Sequence, residues 1–177
     1  MPRFVKIIGT LSFGLSALWL LLSALSMAAQ QEATFTLKGE TVQRNIRFSD
    51  SKGNHIFGKI YNDYIWVRFA TSPEKDGENS DHLDIDIWNF SGPGTYEAED
   101  PKASKREGKK WNIWWHQDGD IFVNQVNSSP CQLIIEQEGE EFIGSFSCKG
   151  LKLNKGDTEL NIENGSFRLT PVKGDSK

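Results

Sequence analysis

From residue 33 onward the chain alternates between apolar and polar positions. "YIWVRFA" sets Ile65, Val67 and Phe69 on one face of an extended segment, with Tyr64, Trp66 and Arg68 on the other. "HLDIDIWN" does the same with Leu83, Ile85 and Ile87 against His82, Asp84, Asp86 and Trp88. "TFTLKG", "VQRNIRF" and "SFRLTPV" keep the same period of two, and no segment beyond the N-terminus shows a helical one. Successive side chains of a strand point to opposite faces, so the pattern predicts short strands with one face buried. Turns of Gly, Asn and Asp between them predict an all-β domain, an antiparallel β-sandwich or barrel-like fold built from short hairpins.

Two hairpins can be set in register. In "WNIWWHQDGDIFVNQV" the Asp118-Gly119 pair suits a type I′ turn. Trp115 then faces Phe122, Ile113 faces Asn124 and Trp111 faces Val126, a largely aromatic core face. The opposite face carries Trp114, His116, Ile121 and Val123. If solvent reaches them, they form an interaction surface with a Trp anchor. If a loop such as 99–110 covers them, they form a second small core. In "CQLIIEQEGEEFIGSFSC" the Gly139-Glu140 pair suits a type II′ turn, which sets Cys131 opposite Cys148. Such a non-hydrogen-bonded pair has Cα atoms about 4.5 Å apart, within reach of a disulfide. Leu133, Ile135 and Phe146 share that face, so the bridge is expected on the core side. With no Cys-x-x-Cys, its expected role is structural.

The N-terminus changes the expected compartment. Residues 1–29 carry Arg3 and Lys6, then an apolar stretch, then Ser26, Ala28 and Ala29, the order of an export signal peptide. The rival is an uncleaved anchor from Ile7 to Ala29, diluted by Gly9, Thr10, Ser12, Gly14 and Ser16. Cleavage after Ala29 leaves residues 30–177 as a single β domain, periplasmic or extracellular, with no further membrane span. It also favours the Cys131–Cys148 bond. Without Arg3 and Lys6, 18 of the 20 basic side chains face 24 acidic ones. An acidic surface argues against nucleic acid and anionic membranes as partners. Segments 71–81 and 99–110 are charged, contain Pro and Gly, and are expected to be loops between strands.

"NFSGPGTY", residues 89–96, follows a strand and precedes a new one. Together with Cys131, "GSFSC" and the later "NGSFRL", it resembles uncharacterised bacterial exported β-proteins and lipoproteins, over about Leu83 to Leu169 of this chain. The resemblance implies fold and export. Ser91, Gly92, Pro93, Gly94 and Tyr96 form either a tight structural turn or a binding loop at a sheet edge. Ser91, Gly92 and Tyr96 also resemble the Ser-Gly…Tyr segment of small periplasmic lysozyme inhibitors, which implies inhibition of a basic hydrolase. The Trp-x-Lys-Gly element of those inhibitors is replaced here by "WWHQDGD".

Chemistry is sparse. His82, Asp84 and Asp86 share a strand face, but alternate residues lie about 6.6 Å apart, so the outer two are about 13 Å apart. Three ligands near 2 Å from one ion cannot be spread so widely, which leaves two of them with distant partners as the alternative. The expected state is a solvated face on which Arg68 pairs across strands, with no metal and no cofactor. "DGD" at 118–120 suits a hairpin better than a calcium loop. No G-x-S-x-G or H-E-x-x-H occurs. The expected function is therefore a non-enzymatic binding or interaction module for a protein or small ligand. An enzyme with a site assembled from scattered His and Asp residues is the alternative. Convergence of His82 with a second His in a deep pocket would favour it.

Overall fold

The structure is a computed structural model and describes residues 30–41, 43–71, 81–99, 103, 106–124 and 130–174. The leader expected over residues 1–29 and the pairing of Trp111 with Val126 fall outside the described residues. So do residues 72–80 of the first expected loop and 100–102, 104 and 105 of the second.

Among the described residues, twelve strands run in chain order: β1 (Glu32–Lys38), β2 (Gln43–Ser49), β3 (His55–Tyr61), β4 (Tyr64–Ala70), β5 (His82–Trp88), β6 (Gly94–Ala98), β7 (Lys110–Gln117), β8 (Asp120–Val123), β9 (Cys131–Glu138), β10 (Glu141–Leu153), β11 (Glu159–Leu169) and β12 (Val172–Lys173). The fold is all-β, as the period of two predicts. "SFRLTPV" is divided between β11 and β12 around Pro171, which lacks the N–H a continuous ladder needs.

The sheet closes on itself. β8 pairs with both β7 and β10, while β6 and β9 connect the same two strands farther along. Two flanks extend from this ring, β5-β4-β3-β12 from β7 and β11-β1-β2 from β10. They face each other across one core, in which Phe69 of β4 meets Phe48 of β2 and Phe167 of β11, with ring centroids 6.3 and 5.8 Å apart. Most pairings are antiparallel, with two short parallel exceptions, β6 with β7 and β12 with β3.

Both hairpin registers are as the sequence predicts. Asp118 and Gly119 have φ of 51° and 85°, as a type I′ turn requires, and Trp115 pairs with Phe122. Asn124 stands beyond the ladder, its Oδ1 accepting from the Ile113 amide at 3.1 Å and its Nδ2 donating to the Glu99 carbonyl. Gly139 has φ of 63°, and Cys131 pairs with Cys148 with Cα atoms 4.0 Å apart, joined by a disulfide. Cys148 is fully buried among Leu133, Ile135 and Phe146. Within this hairpin, Gly144 permits close packing of the neighbouring β11: a Cβ there would lie 2.1 Å from the Phe167 ring.

The inward residues Ile65, Val67, Phe69, Leu83, Ile85, Ile87, Trp111, Ile113 and Trp115 are all buried. Burying each such aliphatic side chain contributes about 1.5–3 kcal/mol. This is the core that holds the outer faces of β4, β5 and β7 in place.

Candidate functional site

Strand pairing aligns the outward residues of β3, β4, β5, β7 and β8 in rows. One row runs His55, Ala70, His82, His116, Ile121. The next runs Phe57, Arg68, Asp84, Trp114, Val123. A third runs Lys59, Trp66, Asp86, Asn112. All three histidines of the chain therefore lie in one row across the sheet.

Two polar clusters occupy the middle of this face. In the first, Arg68 donates from Nε to Asp84 Oδ1 at 2.7 Å and from Nη2 to Oδ2 at 2.6 Å, a bidentate pair. These hydrogen bonds raise the guanidinium pKa further. His82 Nε2 lies 3.8 Å from Asp84 Oδ2, and the His82 and His116 rings stack at 3.9 Å. Burial, then the neighbouring His82, pushes His116 down to about 4, so its imidazole is neutral at pH 7. In the second cluster, Tyr64 Oη donates to Asp86 Oδ1 and Trp114 Nε1 donates to Asp86 Oδ2 at 3.1 Å. Burial holds the Asp86 carboxyl above the usual carboxylate range, against the pull of those two donors. Burial and then Asp86 raise the Tyr64 phenol.

Aromatic rings border the clusters. Tyr61 stacks near Tyr64 and Tyr64 near Trp88, at 6.0 and 6.1 Å. Trp66 lies between Phe57 and the Arg68 guanidinium, each 4.9 Å away. The Arg106 guanidinium lies 4.0 Å above the Trp88 ring, and the Asn89 amide donates to the carbonyls of Arg106 and Gly108. Asn89 adopts φ of 54°, a left-handed turn position that Asn tolerates. Residues 106–108 of the second charged loop therefore lie against this face, where the period-two pattern does not reach.

The expected solvated face is not what forms. His82 is 3% and Asp84 7% exposed, because strands on both sides and their long neighbours crowd them. Asn112 is fully buried, and among the described residues its amide has no hydrogen-bond partner. Such an atom costs about 1–3 kcal/mol. The along-strand trio His82, Asp84 and Asp86 does divide, with Asp86 engaged by Tyr64 and Trp114. Spacing along one strand misses the cross-strand neighbour: His82, Asp84 and His116 bring donor atoms within 4.8 Å of one another. The register of β5 against β7 was the missing information.

Trp114, His116, Ile121 and Val123 share one face, as their spacing predicts. Val123 is buried and the other three are partly buried. They join the polar layer and do not form an open apolar patch. In the Ser91–Tyr96 loop, Gly92 and Gly94 have φ of 95° and 138°, and Tyr96 enters the core. Tyr96 Oη donates to the Gly92 carbonyl at 2.6 Å, while Lys109 Nζ donates to the Gly92 and Pro93 carbonyls at 3.2 and 2.6 Å. Burial pushes the Tyr96 phenol up to about 12. This geometry is that of a tight turn. A pocket of about 150 Å³ lies elsewhere, lined by Leu37, Arg44, Asp118, Asp120, Phe122 and Leu160. No described helix is long and apolar enough to cross a membrane. No family model, curated protein or solved structure matches the chain.

Proposed function

We propose that the chain is an exported, non-enzymatic binding domain whose recognition surface is the outer face of β3, β4, β5 and β7. The carrying observation is the polar layer itself. Asp84, Asp86, His82 and Asn112 are drawn out of water on the outside of a barrel whose core is already complete. Desolvating charges there costs free energy that apolar residues would not. Aromatic rings and Arg at the margin of such a layer are the side chains that dominate binding energy. A disulfide supports export. Both carboxylates suited to acid–base work are engaged, Asp84 by Arg68 and Asp86 by Tyr64 and Trp114, which supports binding over catalysis.

The test is recovery of partners by the tagged protein from the cells that make it, compared with Trp66→Ala/Trp88→Ala. The expected result is a partner retained by the wild type and lost by a variant that still unfolds cooperatively. Equal retention by both removes this face from the proposal.

The second reading, an enzyme assembled from His and Asp, is favoured by the convergence of His82, Asp84 and His116. Turnover by the wild type that vanishes in His116→Gln would establish it. The likeness to lysozyme inhibitors draws no support from the Ser91–Tyr96 loop, since Tyr96 is in the core.

A further inference from the structure

We propose that His82, Asp84 and His116 form a binding site for a divalent transition metal ion of the zinc or copper(II) type. Two imidazole nitrogens and one carboxylate oxygen are a donor set suited to such ions and poorly suited to magnesium or calcium. The donors come from two adjacent, hydrogen-bonded strands whose opposite faces are packed in the core, so the sheet fixes their spacing. His82 Nε2 and Asp84 Oδ2 are 3.8 Å apart, a separation that one ion bonded to both at about 2.0–2.2 Å spans. The three donor atoms lie within 4.8 Å of one another, and donors at those bond lengths on a tetrahedral ion are about 3.4 Å apart, so the widest pair must close by about 1.4 Å to share it. The His82 and His116 rings lie 17° from parallel, so closing requires one imidazole to turn its edge inward. His116 is the more exposed of the two.

Arg68 does not block the site. An ionised carboxylate offers about four lone-pair positions. The two hydrogen bonds from Arg68 use one on each oxygen of Asp84. A carboxylate oriented by a hydrogen-bonding partner is the usual surrounding of a metal ligand. The positive charge of Arg68 lowers the affinity for a cation. His55 lies in the same row but two strands from His82, about 10 Å away, and serves as an internal control.

The experiment is calorimetric titration of the purified protein with zinc chloride and separately with copper(II) chloride, magnesium chloride serving as the comparison ion. One zinc or copper ion per chain is expected, with copper(II) showing nitrogen hyperfine structure in its electron paramagnetic resonance spectrum. His116→Ala should weaken binding by at least about tenfold and reduce the nitrogen coupling, while His55→Ala changes neither. Asp84→Asn deprives Arg68 of its ionised partner and destabilises the fold, so His116→Ala and His82→Gln carry the decision, each checked for cooperative unfolding. Absence of zinc and copper binding up to millimolar concentration, equal affinity in folded His116→Ala, or loss of binding in His55→Ala would overturn the site.

Discussion

Trp114 and Trp115 are neighbours in the chain and live in different surroundings. Trp115 is 1% exposed, its ring edge-on to Phe35 at 5.5 Å in the core. Trp114 points outward, is partly buried, and spends its N–H on Asp86. The contrast extends along β5, where Leu83, Ile85 and Ile87 face inward and His82, Asp84 and Asp86 outward. Both faces lose water, but the inner one gains far more stability from doing so, because the outer one also desolvates charged groups. The inner face holds the fold. The outer face keeps costly groups in fixed positions, as a recognition surface requires.

The largest break in this comparison is Trp115→Ala, which should cost about 3–5 kcal/mol in chemical denaturation, as for other buried aromatic truncations. Cys148→Ala removes the disulfide from the inner side and should cost about 2–4 kcal/mol by the same measurement. Free alkylation of both thiols in the folded protein would contradict the pairing.

On the outer face, Arg68→Met leaves Asp84 unpaired and should cost about 1–3 kcal/mol, discounted because the Arg68 side chain is 27% exposed. Adding Asp84→Leu should restore most of that loss, since an apolar pair replaces a desolvated ionic one. Failure of the double variant to recover would mean that the outer face stabilises the fold as the inner one does.

The smallest effect is alkaline. Tyr96 holds its proton up to about 12 in the fold, against 10.0 when free. Between those values the unfolded chain binds fewer protons, so this contribution is complete below pH 10 and declines as the pH rises toward 12. Stability in that window should fall less steeply in Tyr96→Phe than in the wild type.

Strand faces and both hairpin registers were legible because period two and the φ demands of Asp118-Gly119 and Gly139 are local. The Cys131–Cys148 bond followed from one of those registers. The meeting of His82 with His116 was not legible, because it depends on how β5 aligns with β7 across the intervening strand and loop. The burial of Asp84 was missed for the same reason: alternation assigns a side to each residue and says nothing of what lies above that side. The folding of Arg106 over Trp88 had a faint signal in Asn89, a residue suited to a left-handed turn that then ties down the returning loop.

The most direct test of the division between the two faces is Trp114→Ala, followed by denaturation and by recovery of partners from the producing cells. The account predicts a loss of no more than about 1.5 kcal/mol, well under that of a fully buried aromatic, together with loss of the retained partner. A loss as large as that of Trp115→Ala, with the partner still retained, would contradict it.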